Sequence, residues 1–393
     1  MKYYALCITN YALLLMLSGC IEEYEAEIDE EDTDMLVVKG TICSGELNKF
    51  YLLQMQALNS PNTPQTVMGA KVSVRGSDGS EYPAQATNGY YACMVGDLNP
   101  NVDYYLHIGI GSEVYESEPQ KPLPTEKIAD VRGSQNTPES NIDILVTPDE
   151  PFEPDKVNYY SWTYDETWEV HPDYRTLLYY DIEKMEPVIK HKQFPECGWI
   201  DATGKAIMVG ASTSYGGQHI RRLKLYDIDR SDTRMFYRYS GLIQQRAITK
   251  AEYEYELARH QAGSEMGGLF TPLPSTPPAN IHCLTSGKQV IGFIGCSLNT
   301  SKYRFFLNSG DFSIRRPLGN DTREWLDNPS VEDCLKMARR GMFLCEWILP
   351  EMSDDHMLHA AWAYPYQLDV RIKYKEAYIE EPDFWSLEEN VSY

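Results

Sequence analysis

Basic residues are scarce in this chain of 393 residues: 35 Lys and Arg stand against 58 Asp and Glu, a formal charge of −23. So negative a chain repels phosphate backbones and anionic head groups, which argues against nucleic acid as a partner. No CxxC pair occurs, so the usual spacing of a zinc or iron–sulfur site is missing and no cofactor is implied. No Gly-x-Ser-x-Gly elbow occurs either, and the common hydrolase nucleophile has no support. No apolar run reaches the roughly 20 residues that a bilayer-spanning helix needs. Phe is sparse as well, 11 against 29 Tyr. With many Gly and Pro, that balance favours short strands and turns over helical bundles, and predicts a mainly β chain.

What is present begins at the N-terminus. Lys2 is a short basic region, and Tyr11 to Leu17 is an apolar stretch of signal-peptide length. It ends in Leu17-Ser18-Gly19-Cys20, the pattern of a bacterial lipobox. Small side chains let the backbone enter a peptidase in extended form, and the Cys20 thiol accepts the lipid. Residues 1–19 are therefore expected to be removed and Cys20 acylated, anchoring the chain to a bilayer without spanning it. Residues 20–34 follow as an acidic tether: from Glu22 to Asp34 there are nine acidic residues and no Lys or Arg. Such a segment repels itself and cannot bury a core. Acidic residues directly after a lipidated cysteine resemble the export signal of surface lipoproteins in Bacteroidota-type bacteria.

Past the tether, periodicity predicts two β units. Residues 35–125 form the first, with strands at Met35–Ile42, Phe50–Met55, Gly69–Arg75, Tyr90–Cys93, Tyr104–Ile108 and Val114–Tyr115. Ser77-Asp78-Gly79-Ser80 supplies a turn, expected as type I′. Gly109-Ile110-Gly111 lacks the third glycine and the helix of a dinucleotide site, and reads as a hairpin turn. Strands at this spacing predict an immunoglobulin-like sandwich. The proline-rich stretch 119–125 is expected as a stiff linker.

Residues 126–393 form the second unit, a β-rich, sandwich-like domain with helical insertions. Strands are expected at Ile142–Val146, Tyr159–Tyr164, Thr176–Tyr180, Ala206–Ser212, Arg234–Ala247, Gln289–Ser297 and Lys302–Leu307. Thr249 with Glu252 is a capping-box pattern opening a helix that stops at Gly263. Ser330 with Asp333 opens another, its Val331, Cys334, Leu335 and Ala338 on one face and Gly341 at its end. Cys43, Cys93, Cys197, Cys283, Cys296, Cys334 and Cys345 allow up to three disulfides in an oxidising envelope, with connectivity open.

Candidate site residues are few. His356 and His359, beside Asp354 and Asp355, would share a helix face and are weak metal candidates; solvated surface residues are the commoner reading. Asp227, Asp229 and Asp232 miss the calcium-loop pattern, because Asp232 stands where the turn glycine belongs and Arg238 at the twelfth position. His282 and Cys283, adjacent on a strand, point to opposite faces, so a core histidine and a structural cysteine are expected instead of a couple. Trp162, Trp168 and Trp199 are candidate stacking platforms for a ligand, although roughly two-thirds of the seven indoles should lie in the core.

One combination is specific. Leu36-Val37-Val38-Lys39-Gly40, Tyr159 to Tyr164 with Thr167-Trp168, Arg238-Tyr239-Ser240 and Tyr253 form its first half. Gly267 to Phe270 with Pro272 and Pro274, Asn280-Ile281-His282-Cys283, Val290 to Phe293 and Pro382 to Trp385 complete it. Together with the lipobox this resembles a family of Bacteroidota outer-membrane lipoproteins known as domain of unknown function 4249. The chain departs from the family in having Ala279 before the Asn-Ile-His-Cys run and a wide Cys334–Cys345 spacing. The resemblance implies an outer-membrane protein facing the exterior, with a TonB-dependent receptor as partner and a non-enzymatic, ligand-binding accessory role. A stand-alone adhesion or structural module is the alternative, and a secreted hydrolase a third choice.

Overall fold

The computed structural model describes residues 35–54, 65–149, 156–190, 194–204, 207–215, 219–265, 279–317, 319–387 and 390–392. The leader, Cys20 and the acidic tether lie outside these residues, as does the stretch from Gly267 to Pro274. The described chain is mainly β, arranged in several sheets.

The first sandwich follows from period-two alternation. Asn48, Phe50 and Leu52 of Leu47–Gln54 point inward, as do Tyr104, Leu106 and Ile108 of Tyr104–Ile110. One sheet pairs Leu36–Cys43, Leu47–Gln54, Tyr91–Met94 and Gln85–Ala86; the facing sheet pairs Glu113–Ser117, Tyr104–Ile110, Lys71–Gly76 and Glu81–Pro83. Val38, Phe50, Val74 and Ile108 fill the space between. At the Lys71–Gly76 turn only Gly79 has a positive φ, +88°. A type I′ loop needs two such residues, so this turn differs from the expected one, and the Asp78 carboxylate accepts from Ser80 N instead.

This sandwich is not closed by residues 35–125. Ile281–Cys283 joins Glu113–Ser117 antiparallel, while Val290–Ile291 and Ile294–Ser297 run parallel to Leu36–Cys43. Ile281, Val290, Ile294 and Cys296 are buried in the same core. Residues 281–297, placed by sequence order in the second unit, thus complete the first, and the parallel pair departs from an all-antiparallel arrangement. Gly292, φ +153°, breaks the returning strand where a side chain would run into the Val38 carbonyl. The expected linker is likewise a pinned strap. Gln120 bridges Tyr104, Leu123 bridges Ser297, and Thr125 exchanges hydrogen bonds with Asn299 while its hydroxyl accepts from Ala247 N at 3.0 Å.

The second sandwich is organised by one long strand. Tyr159–Val170 pairs with Arg238–Ala247 on one side, and with Met208–Ala211 and then Gly198–Thr203 on the other. Ser301–Asn308 and Val391–Ser392 extend this sheet. Ile128–Ser134, Ile142–Pro148 and Leu223–Ile228 form the smaller facing sheet, over a core that includes Val131, Ile144, Trp162, Tyr239 and Phe305. The strand expected from Arg234 begins at Arg238, because Thr233–Met235 is a 3-10 turn capped by Asp232. Helix Lys250–Glu265 continues past Gly263. Only half of its expected capping box forms: Thr249 Oγ1 accepts from Glu252 N, and the Glu252 carboxylate is drawn to Arg246.

A third, smaller layer had no counterpart among the expected strands. Glu324–Asp327, His359–Ala363 and Phe343–Ile348 make a three-stranded sheet, and helix Val331–Arg339 packs on one face. The full Ser330–Asp333 capping box forms, and Gly341, φ +77°, follows the helix end. Cys334 and Met337 are its buried residues; Val331, expected on that face, is exposed. In the strand His359–Ala363, Ala360 and Trp362 face the helix, while Ala361 and Ala363 face the other way with Cys345. Cys334 and Cys345 are therefore separated by the sheet, and all seven described cysteines are free, so none of the disulfides that the sequence allows is formed among them.

Candidate functional site

The three tryptophans proposed as platforms are packing residues. Trp162 has no exposed surface and donates from Nε1 to Gln245 Oε1 at 2.9 Å. Trp199 is buried, edge-to-face with Trp385 at 6.2 Å, and Trp168 is half-buried against the second core. The reason is register: their strand positions point into the sandwich or under the C-terminal segment. That segment is held by Arg238, whose guanidinium lies 4.4 Å from the Phe306 ring centre and donates to the carbonyls of Trp385 and Leu387. Trp325 is the one indole of the seven with an exposed ring.

The histidines also sit differently from expectation. His356 occupies a turn with φ +59°, and His359 begins a strand, so they share no helix face. His359 Nδ1 meets Asp327 Oδ1 at 2.7 Å and Nε2 meets Asp355 Oδ1 at 2.9 Å. Its hydrogen bond, with those from Met357 N and Ser353, holds the Asp355 carboxyl down at about 2, and the two carboxylates raise the His359 value. Among the described residues no group of three or more His, Cys, Asp or Glu is arranged to hold a metal ion. Asp227 serves Lys224 and Asn141, Asp229 caps Ser231, and Asp232 clamps Arg234. His282 faces solvent, 3.3 Å from Glu118, and is no core residue. Cys283 is partly exposed and hydrogen-bonded to Ser286.

Residues that sequence reasoning missed gather around the third layer. Hairpin Leu178–Asp181 with Glu186–Ile189 stands beside strand Phe343–Ile348, tied by Thr176 Oγ1 donating to the Leu344 carbonyl at 2.7 Å. On the helix side, a cleft of about 510 Å³ is lined by Tyr180, Leu335, Met342, Leu344 and Trp362. A second, of about 640 Å³, lies between Arg175, Leu177, Phe194, Leu368 and Ile379. The two are neighbours, since Phe343 of the first stacks edge-on with Phe194 of the second at 5.0 Å. Ligand sites usually enclose roughly 300 to 1,000 Å³. The adjacent Tyr179 and Tyr180 and the alanines of His359–Ala363 were the available signals; nothing in their spacing showed that they would meet.

The hairpin exposes apolar side chains. Leu177, Ile182, Met185 and Ile189 are each at least half exposed. Of the 18 exposed large apolar side chains among the described residues, 11 lie on this hairpin or between Trp325 and Ile379. Eight of the 18 lie on the third layer or on the hairpin and its leading residue Leu177. No described helix is long and apolar enough to cross a membrane.

Comparison with curated proteins finds no match. The family described as domain of unknown function (DUF4249) matches residues 21–303, which takes in the first sandwich and most of the second, ends inside strand Ser301–Asn308, and stops before the Glu324–Asp327 sheet and the Pro382–Trp385 segment. With most of its length so matched, the chain belongs to the domain of unknown function 4249 family.

Proposed function

We propose that this chain is a lipid-anchored outer-membrane protein, displayed toward the cell exterior in a Bacteroidota-type bacterium, that works as a non-enzymatic accessory of a TonB-dependent receptor. The leader ending at Cys20 and the acidic run after it support the anchor and the display. Acylation at Cys20 would contribute about 0.8 kcal/mol per buried CH₂, so two or three chains hold the protein firmly. The observation that carries the docking role is the apolar hairpin, with Leu177, Ile182, Met185 and Ile189 turned to solvent. Large aliphatic groups held out of the core stabilise a complex when a partner covers them.

The test is co-purification from membranes in mild detergent. The receptor is expected with the wild-type chain, and Ile182→Ser with Ile189→Ser should reduce its recovery at least tenfold while leaving the thermal melt unchanged. Recovery of the chain alone, in every detergent tried, counts against the receptor role. An unprocessed N-terminus, or a Cys20 without acyl groups in the mass spectrum, counts against the anchor.

A further inference from the structure

We propose that strand Leu36–Cys43 is a shear clamp that passes a pull on the N-terminal tether directly to the second sandwich. The strand is central in its sheet. On one side Leu36, Val37, Val38 and Lys39 pair antiparallel with Gln54, Leu53, Leu52 and Tyr51. On the other, Leu36 and Val37 run parallel with Val290 and Ile291, and Gly40 to Cys43 with Ile294 to Ser297. Leu36, Val38 and Ile42 are buried beneath this ladder.

Strand polarity decides how the ladder meets a load. Residues 20–34 join the strand at its Leu36 end. Its other end, roughly 25 Å away for eight extended residues, lies against the residues that lead into the second unit. There Ser44 N donates to the Ser297 carbonyl at 3.0 Å, and Thr300 Oγ1 donates to Glu46 Oε1 at 2.8 Å. Strand Ile294–Ser297 leaves at that end, and only residues 298–300 separate it from Ser301–Asn308 of the second sheet. A pull on the tether therefore draws Leu36–Cys43 one way along the strand axis, while the second sandwich holds Ile294–Ser297 the other way. The bonds of a parallel ladder are evenly spaced, so strands loaded in this sense must break them together, whereas strands peeled apart break them one by one.

The outer edge of Ile294–Ser297 is fastened as well. The buried Asn280 amide donates to the Ile294 carbonyl at 3.0 Å, and its Oδ1 accepts from Ile294 N at 2.8 Å. Leu123 of the strap donates to the Cys296 carbonyl and accepts from Leu298 N. Load thus crosses from the tether to the second sheet without passing through residues 44–280. The source of that load rests on the lipid anchor proposed at Cys20, but the clamp does not. Mass spectrometry of Cys20 tests the anchor, and force tests the clamp.

The experiment pulls the full chain in optical tweezers, with Cys20→Ser to keep it free of lipid. One handle sits at the N-terminus and the other at the exposed Asp311, replaced by an azide-bearing phenylalanine. Rupture of the clamp should release residues 35–125 in one step of about 300 Å, at about 3.3–3.6 Å per residue. Moving the first handle to Leu47, exposed near the other end of the strand, peels the same ladder and should lower the rupture force at least about twofold. Ile42→Cys sets a thiol across from Cys296, its register partner, with both positions in the first core. Strands about 4.8 Å apart fall inside the Cα range of a disulfide, about 4.4–6.8 Å. Bridged with diamide, which takes up the two protons and two electrons, this variant should lose the long step, because the new bond carries the pull past residues 43–125; reductant should restore it. Equal rupture forces for the two handle positions overturn the proposal. A long step that persists in chains whose bridge is confirmed by mass overturns it as well.

Discussion

A methyl group on Gly295 would strike the Glu252 carboxylate and lie 2.6 Å from Arg246 Nη1. Gly295 belongs to the strand that closes the first sandwich, whereas Arg246 and Glu252 belong to a strand and a helix of the second. The missing side chain makes the slot in which a buried ion pair seats, and the slot joins the two bodies. Arg246 Nη1 donates to Glu252 Oε2 at 3.1 Å, and Cys43 and Cys296 lie near enough to feel both charges.

Breaking one partner of such a pair leaves a buried charge uncompensated, at a cost of about 3–5 kcal/mol. Arg246→Leu is expected to lower stability by that amount. Gly295→Ala should cost about 2 kcal/mol, in the range of overpacking. The double change Arg246→Leu with Glu252→Leu should recover much of the loss, because two apolar groups replace two desolvated charges. Urea unfolding of the four proteins checks the set, and a double variant weaker than Arg246→Leu would contradict it.

Glu166 is the second buried charge that matters. Its Oε1 accepts from Arg234 Nη1 at 2.6 Å and from the Tyr239 hydroxyl at 2.8 Å, and Tyr226 bonds Tyr239 in turn at 2.8 Å. Glu166→Gln keeps the shape and removes the charge, and is expected to destabilise the fold by about 2 kcal/mol. Burial raises both phenols well above the ordinary tyrosine range. Spectrophotometric titration of the folded chain should therefore leave these two tyrosines protonated after exposed ones have ionised.

The bridge at His359 makes stability depend on pH. A raised histidine value means that the folded state holds the proton more tightly, so this contribution is complete below about pH 6.5 and is lost as pH rises through the raised value. For Asp355, lowered to about 2, the sign is opposite: its contribution is present above about pH 3.8 and is lost as pH falls through about 2. Both act between about pH 4 and 6.5. The melting temperature should fall from about pH 5.5 to about pH 8.5, and His359→Gln should flatten that fall. An unchanged slope in the variant would remove His359 as its source.

Thiol reactivity should separate the cysteines. Burial pushes Cys43 up to about 11 and both Cys296 and Cys345 up to about 12, so little thiolate exists near neutrality. Cys283 is partly exposed; although burial acts to raise it, hydrogen bonds from Ser286 and Thr285 outweigh that and lower it. Brief alkylation at about pH 8, followed by peptide mass spectrometry, should modify Cys283 first. Equal labelling of Cys43 or Cys345 would show that these cores open.

Alternation alone made much of the β framework legible: Tyr104–Ile110 and Ile142–Pro148 bury every second residue, as their sequences imply, whereas Leu47–Gln54 alternates in a phase that exposes Leu47 and buries Asn48. The Ser330–Asp333 cap was equally readable, because its two hydrogen bonds span three residues. The small strands of the third layer were not. Glu324–Asp327 and His359–Ala363 are short and carry no sustained alternation, and only their mutual pairing identifies them.

Local spacing, then, determined the alternating strands and the capped helix, since each depends on residues a few positions apart, and composition alone fixed the net charge of −23. Tertiary structure alone decided that residues 281–297 close the first sandwich, that Trp162 and Trp199 are core, and that Tyr180 and Trp362 line one cleft. The physical reason is that a sheet edge or a cavity wall is completed by whatever apolar segment fits it, and the energy of that fit does not depend on distance along the chain.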